Sequence, residues 1–194
     1  MSTFELAIST ASVLHARQVR KGTNIPYITH PLAVAGLVYE YGGTDTEACA
    51  AVLHDAVEDC GGLATLKIIR DQFGDDVARI VLECSDSVTD GEKGPWKERK
   101  LAYLASFPTK CPGAVLVTGC DKLHNARTIL ADVRLARRTT PDGVADVWNR
   151  FQAGYDGTRW YYNEVIRVLI ASHCDPMLVG ELMRVVGDMR GFKP

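Results

Sequence analysis

The sequence lacks the features that mark a secreted, membrane-bound or polyanion-binding protein. Its six cysteines form no CxxC pair and no disulfide-type spacing, which indicates reduced thiols. No apolar run is long enough to span a bilayer, and the N-terminus lacks the basic start and continuous apolar stretch of a signal peptide. Neither sign of charge is in large excess, with 22 basic and 24 acidic residues, so no positive field is available for nucleic acid. We expect a cytoplasmic protein that binds no membrane and no nucleic-acid polymer.

Strict alternation of apolar and polar residues, the pattern of a half-buried strand, is also hard to find in this sequence. Apolar residues instead recur at helical spacing, and 46% hydrophobic residues suffice for one buried core. No repeat, low-complexity tract or shift in composition marks a second domain. The pattern predicts an all-α fold in which residues 1–194 form a single domain.

Caps and turn residues set the predicted helix boundaries. Thr44 and Glu47 form a capping box, so one helix should begin near Asp45 and run through HDAVED. Gly74 and the loop TDGEKGP, residues 89–95, interrupt the chain further on. The other predicted helices cover residues 3–19, a segment from Pro31 onwards, and residues 64–72, 75–88, 96–106, 113–131, 144–154, 158–172 and 176–187.

The strongest local feature is the pair His54-Asp55, followed by Glu58 and Asp59 on the same predicted helix. At 3.6 residues per turn these four polar side chains share one broad face, although the preceding residues, ACAAVL, are apolar. Burying carboxylates against a core costs roughly several kcal/mol each, and a bound divalent cation would offset that cost. We therefore interpret the segment as part of a metal site.

Two further groups could complete such a site. His30 stands at a helix entrance, and Asp121 lies in the segment VTGCDKLHNARTIL. Two imidazoles and two carboxylates form a mixed set of nitrogen and oxygen ligands, which suits Mn²⁺ and, less exclusively, Fe²⁺, Zn²⁺ or Mg²⁺. This set leaves coordination positions open for water or substrate oxygen, as metal-assisted hydrolysis requires.

Three segments of the chain, RKGTNIPYITHP, AAVLHDAVED and CDKLHNART, resemble signature stretches of the HD superfamily. They are similar specifically to the hydrolase domain of Rel/SpoT proteins and their small stand-alone relatives, and the resemblance covers most of residues 1–135. It implies an HD-domain helical bundle with one Mn²⁺ held by His30, His54, Asp55 and Asp121. It also implies hydrolysis of the stringent-response alarmones ppGpp and pppGpp to pyrophosphate and GDP or GTP.

Glu58 and Asp59 match the acidic pair that serves catalysis in this family. A carboxylate beside the cation would position or deprotonate the attacking water, and we predict that Glu58 is that base. Asp59 could orient the water or a histidine near the metal, and the sequence does not separate these roles.

Substrate binding requires positive charge near the metal, because the expected nucleotide carries two phosphate clusters. Arg20 and Lys21 lie in the loop that leads to His30, and we predict that both bind the substrate. They stand one residue farther from the histidine than is usual in the family, so the resemblance does not fix their reach.

Helix periodicity adds two substrate-binding candidates. Asn125 and Thr128 follow Asp121 at i+4 and i+7 and therefore share its helix face, where they could touch phosphate or ribose. The same geometry predicts that Lys122 and Arg127 point elsewhere.

Packing is the favoured interpretation of two other features. His124, one turn from Asp121, is more often a structural histidine than a support for a metal ligand. An aromatic cluster favours helix packing over base stacking, although a tyrosine in it could line the base pocket. The cluster consists of Trp148, Phe151, Trp160, Tyr161 and Tyr162.

The sequence leaves the substrate open. The same metal chemistry could act on ppApp, or remove the 2′-phosphate of NADPH as in a metazoan member of the family. A non-catalytic sensing module would be expected to have lost Glu58 or Asp59, and both are present. Longer Rel/SpoT proteins continue into a synthetase domain beyond the point where this sequence ends, so we expect hydrolysis without synthesis. A homo-oligomer is compatible with the resemblance.

Overall fold

The computed structural model describes residues 3–88 and 94–194, and in these ranges every regular element is an α-helix or a short 3₁₀ turn. The helices are α1 (Thr3–Leu14), α2 (Thr29–Glu40), α3 (Asp45–Leu53), α4 (Ala56–Asp59), α5 (Gly62–Cys84), α6 (Trp96–Ala105), α7 (Pro112–Thr139), α8 (Gly143–Asn149), α9 (Gly154–Ala171) and α10 (Pro176–Asp188). The predicted all-α class is confirmed. Residues 89–93 of the predicted TDGEKGP loop lie outside the described ranges.

Helix α3 lies at the centre of the fold, where it packs against α1, α2, α5 and α7. Six consecutive residues of this helix, 48–53, are buried, and most of them are small. Small side chains allow neighbouring helices to approach on every side, so the turn that follows α3 is also held deep in the protein. The buried core is continuous from α1 to α10.

The segment HDAVED does not continue α3 as one helix, which corrects the sequence prediction. Helix α3 ends at Leu53, and α4 begins at Ala56 after a turn formed by His54 and Asp55. Asp55 has a ψ of −6°, whereas a regular α-helix has about −42°. This rotation changes the direction in which the following side chains point, so the four polar residues no longer share one helical face.

Other boundaries differ from the prediction for local reasons. Helix α1 stops at Leu14 instead of residue 19, where Nδ1 of His15 lies 2.6 Å from Oε1 of Gln18 and the chain turns into a loop. Helix α5 joins two predicted helices across a kink at Gly74, whose φ of 87° favours glycine. Helix α7 continues to Thr139, because neither glycine nor proline interrupts it after residue 131.

None of the described helices combines the length and the apolarity that a bilayer crossing requires.

Candidate functional site

Three of the four predicted metal ligands come together from distant parts of the chain. His30 lies in the first turn of α2, His54 follows α3, and Asp121 lies in the middle of α7. Each offers one ligand atom, and these atoms all lie within 4.8 Å of one another. All three residues are buried, so the cluster forms part of the protein interior.

Asp55, the fourth predicted ligand, lies beside the same cluster. Its Oδ2 is 2.9 Å from Nε2 of His54 and 3.5 Å from Nε2 of His30. Oδ1 of Asp121 is 3.1 Å from Nε2 of His30 and 3.7 Å from Nε2 of His54. Two imidazole nitrogens therefore face two carboxylate oxygens around one point.

The chemistry of this donor set fits a divalent cation. Nδ1 of His54 lies 2.8 Å from the carbonyl oxygen of Ala51, which can only accept, so this nitrogen donates. In neutral His54 the lone pair is therefore on Nε2. That atom is buried and forms no hydrogen bond with any described residue. A buried imidazole nitrogen without a donor, close to two carboxylates, suits a positively charged ligand.

Electrostatic interactions at the site also favour positive charge between the histidines and the carboxylates. Burial alone lowers the pKa of His54, but Asp55 and Asp121 raise this pKa well above its usual range. Burial alone raises the pKa of Asp121, but Lys122 and both histidines hold it well below its usual range. Against the effect of burial, the histidines likewise hold the pKa of Asp55 well below its usual range. Both carboxylates therefore favour the ionised form, which attracts a proton or a cation to the imidazoles.

Further side chains orient the two carboxylates. The hydroxyl of Tyr27 donates to Oδ2 of Asp55 at 2.6 Å, and Nδ2 of Asn125 donates to Oδ1 of Asp121 at 2.6 Å. Nζ of Lys122 forms an ion pair with Oδ2 of Asp121. Tyr27 was not predicted as part of the site, although it lies within the segment RKGTNIPYITHP that resembles the family.

A cavity of about 590 Å³ opens above this cluster. Its lining includes all four predicted substrate-binding residues, which are Arg20, Lys21, Asn125 and Thr128. It also includes Lys122, so the prediction that Lys122 points elsewhere is wrong. Arg127 does point elsewhere, with Nη2 at 3.2 Å from Oε1 of Glu181 on the outer surface.

Two more cations reach the cavity from α6, and nothing in the sequence analysis identified them. Arg99 and Lys100 both line the cavity, and both pair with Asp86. Nη1 of Arg99 lies 2.6 Å from Oδ1 of Asp86, whose side chain is only 3% exposed. With Lys122, these residues give the cavity wall a set of cations that suits an anionic ligand.

The predicted catalytic pair occupies two different environments. Glu58 lines the cavity, and its Oε2 accepts from the backbone N–H of Asp86 at 3.4 Å. Asp59 is exposed and is not among the described residues that line the cavity. Its Oδ2 accepts a hydrogen bond from Nε2 of Gln18 at 2.9 Å. Of the two, Glu58 is the carboxylate placed to reach a molecule in the cavity, and a catalytic role for Asp59 stays a prediction.

The aromatic cluster divides between packing and the cavity. Trp148 is fully buried, and its Nε1 donates to the carbonyl of Phe192 at 2.8 Å, as expected for a packing role. Phe151, Tyr161 and Tyr162 line the cavity. These aromatic side chains form an apolar part of the cavity lining, which contrasts with the cationic part.

His124 also lines the cavity and contacts His30 of the predicted metal-ligand cluster. Its Nδ1 lies 2.7 Å from Nδ1 of His30. Burial, together with His30 and Arg20, lowers the pKa of His124 to about 4. The contact to His30 was not predicted, because it depends on how α7 packs against α2.

Comparison with known proteins gives the same picture of the fold. The family model for the HD domain matches residues 7–159. MESH1 of Homo sapiens, a guanosine-3′,5′-bis(diphosphate) 3′-pyrophosphohydrolase, is 40% identical over 143 residues, which are 72% of this chain and 73% of that protein. A probable GTP pyrophosphokinase of Mycobacterium leprae is 31% identical over 194 residues. This chain spans only 23% of that longer relative.

One solved structure is similar to this chain along its whole length. A metazoan orthologue of SpoT, described as hydrolysing ppGpp, superimposes with a TM-score of 0.74 at 26% identity. The match covers 100% of this chain and 98% of that one. The chain therefore belongs to the HD-domain family, and it is similar to MESH1 and to a metazoan SpoT orthologue.

Proposed function

We propose that this chain is a metal-dependent (p)ppGpp 3′-pyrophosphohydrolase, which releases pyrophosphate and leaves GDP or GTP. The observation that carries the proposal is the convergence of His30, His54, Asp55 and Asp121 beside a cavity whose wall carries several cations. The activities named for human MESH1 and for the metazoan SpoT orthologue support the choice of substrate.

These four residues would hold one divalent cation, and we propose Mn²⁺, with other divalent metals as possible substitutes. The mixed nitrogen and oxygen donors support this choice. When bound, the ion would supply Lewis acidity, which makes a water more acidic and offsets phosphoryl charge. Tyr27 and Asn125 already orient the two carboxylates, so the protein has little to rearrange on binding.

Glu58 is the proposed general base. It lies one helical turn after the metal-ligand turn, and it lines the cavity beside the ligand cluster. Its carboxylate would accept a proton from the attacking water as the bond between phosphorus and the 3′ oxygen breaks. Asp59, by contrast, would act through Gln18, whose side chain it holds near the loop that carries Arg20 and Lys21.

Arg20, Lys21, Asn125 and Thr128 are the proposed substrate-binding residues. Nη2 of Arg20 donates to Oδ1 of Asn125 at 2.7 Å, so the longer loop still brings Arg20 onto α7 beside the ligand cluster. A planar guanidinium held in this way suits phosphate oxygens, which accept two parallel hydrogen bonds from it. Lys100 and Lys122 add charge on the cavity wall.

We also propose that residues 1–194 act as one HD hydrolase domain in the cytoplasm. The continuous core supports a single domain, and the six free cysteines support a reducing compartment. Self-association into a homo-oligomer stays a prediction, which light scattering of the purified protein would measure.

The experiment that tests the function is a nucleotide panel. Mn²⁺-loaded protein is incubated with ppGpp, pppGpp, ppApp, NADPH and cyclic dinucleotides, and the products are separated into pyrophosphate and orthophosphate. We expect pyrophosphate from ppGpp and pppGpp, and its release about 10²–10⁴-fold slower with the Glu58→Gln variant at the same metal content. Orthophosphate from NADPH alone would replace the proposed substrate, and no product from any nucleotide would contradict the enzyme proposal.

A further inference from the structure

The two histidines of the proposed metal site differ in what contacts their outer nitrogen. Nδ1 of His54 faces a backbone carbonyl, that of Ala51, at 2.8 Å. A carbonyl cannot donate, so neutral His54 keeps its proton on Nδ1. Nδ1 of His30 instead faces Nδ1 of His124 at 2.7 Å. An imidazole nitrogen can donate or accept, so the state of His30 depends on its neighbour.

A separation of 2.7 Å between the two Nδ1 atoms leaves room for one proton between the rings. If His30 holds that proton, its Nε2 presents a lone pair toward the carboxylates. If His124 holds it, neutral His30 carries its own proton on Nε2, which is 3.1 Å from Oδ1 of Asp121. Only the first arrangement leaves His30 able to bind a cation through Nε2.

We propose that His124 is a positioning residue of the metal centre, which accepts the Nδ1 proton of His30 and thereby holds His30 in the tautomer that binds a divalent cation. The inference rests on the proposed metal site. Such an outer partner fixes both the tautomer and the orientation of a ligating histidine.

The packing around His30 supports this role. His30 is only 1% exposed, so bulk water has no access through which it could replace His124 as the acceptor. The two rings lie 4.8 Å apart between centroids with an interplanar angle of 35°. His124 follows Asp121 by three residues on α7, so one helix supplies both a ligand and the group that orients another ligand.

The same hydrogen bond limits what else His124 can do. With its Nδ1 accepting from His30, neutral His124 carries its proton on Nε2. His124 lines the cavity, and its side chain can therefore donate to a bound nucleotide but cannot take a proton from water. This assignment leaves Glu58 as the base.

The test measures binding of the metal alone. We compare the wild-type protein with His124→Leu, which removes the acceptor at similar bulk, and with His124→Asn, whose amide oxygen can accept close to the position of Nδ1. Mn²⁺ affinity is measured by isothermal titration calorimetry without nucleotide. We expect His124→Leu to weaken Mn²⁺ binding about 10–100-fold, and His124→Asn to recover most of the loss.

Imidazole ¹⁵N spectra of the Zn²⁺-loaded protein provide a second readout. We expect the His30 proton on Nδ1 in the wild type and in His124→Asn, and a loss of that single tautomer in His124→Leu. His54 is the internal control, because its contact to Ala51 is the same in all three proteins. If His124→Leu does not fold, the wild-type spectrum decides, since a bridging proton on His124 in the loaded protein would overturn the proposal.

Wild-type Mn²⁺ affinity in a folded His124→Leu protein would also overturn it, as would His124→Asn binding as weakly as His124→Leu. These results are separable from the proposed function, because none of them involves a nucleotide. A protein that hydrolyses ppGpp while His124→Leu binds Mn²⁺ normally would refute this inference and leave the activity in place.

Discussion

The floor and the rim of the cavity are built in different ways. The floor is the cluster of predicted metal ligands, in which Asp55 and Asp121 line the cavity and the buried His30 and His54 lie against their carboxylates. Helices α2 and α7 and the turn after α3 fix these residues. The rim includes Arg20 and Lys21, which lie in a loop and are partly or fully exposed. A preorganised floor suits chemistry that tolerates little displacement, whereas a more accessible rim suits recognition of the substrate. The comparison suggests that changes at the floor abolish turnover and changes at the rim alter affinity.

The largest loss of metal and of turnover is expected from Asp121→Asn, a substitution in the floor of the cavity. This change removes a negative charge that faces both histidines, so we expect the protein to lose Mn²⁺. Turnover should fall by more than about 100-fold, because replacing a residue that only orients a metal ligand costs about 10–100-fold. Metal content by mass spectrometry and ppGpp hydrolysis are measured together. Asp132→Asn is the matched control, because Asp132 lies on the same helix and lines the same cavity but pairs with Arg150. Equal metal loss in both variants would contradict the floor assignment.

A second comparison separates the two adjacent carboxylates. Glu58→Gln is expected to lower kcat by about 10²–10⁴-fold while metal content stays unchanged, because a general base is lost. Asp59→Asn is expected to cost less than about tenfold, since Asp59 is exposed and tied to Gln18. Rate measurements at saturating ppGpp decide between them. A larger effect for Asp59 would mean that its side chain reaches the substrate in the working enzyme.

Substitutions at the rim are expected to change the affinity for the substrate. Arg20→Met is expected to raise KM about tenfold or more with little change in kcat, because a hydrogen bond to a charged group contributes about 1.5–3 kcal/mol. Arg17→Met is the control, as Arg17 is exposed and is not among the described residues that line the cavity. Steady-state kinetics with ppGpp measure both. An effect on kcat alone would place Arg20 with the floor.

The smallest effect on turnover is expected at Asp86, which pairs with the cavity-lining residues Arg99 and Lys100. Burial alone raises the pKa of Asp86, but Lys100 and Arg99 hold it below its usual range. The folded pKa is thus below the unfolded value of about 3.9, so the ionised group stabilises the protein above that pH and its contribution is lost as the pH falls through the folded pKa.

Asp86→Asn should therefore lower the melting temperature near pH 7, and its difference from the wild type should begin to shrink as the pH falls below about 4 toward the folded pKa. Thermal unfolding between pH 3 and pH 7 measures the difference. A gap that stays constant over this range would show that the stabilisation does not come from the ionised carboxylate.

Local sequence signals were sufficient for much of the floor. The pair His54-Asp55 marked the turn at which the predicted ligands converge. The predicted Thr44 capping box is present, with the Thr44 N–H donating to Oε2 of Glu47 at 2.7 Å. These features depend on residues close in sequence, where helix geometry fixes the contacts. Nothing local joins His30 and Asp121 to His54, so the sequence offered them only as candidates, and the family resemblance added the support for placing them together.

Long side chains and tertiary contacts account for what was missed. The direction of Cβ suggested that Lys122 points away, but its four-carbon stem reaches back to Oδ2 of Asp121. The turn at Asp55 places its carboxylate against the hydroxyl of Tyr27, a contact between distant residues that no local pattern contains. Arg99 reaches the cavity through the packing of α6 against α9, which sequence periodicity does not report.

The most direct test of the account is a crystal structure of the protein grown with Mn²⁺, with anomalous scattering recorded at the manganese edge. The account predicts one strong peak bonded to Nε2 of His30 and Nε2 of His54, with the carboxylates of Asp55 and Asp121 completing the protein ligands. A peak elsewhere, or no peak in crystals of active protein, would contradict it.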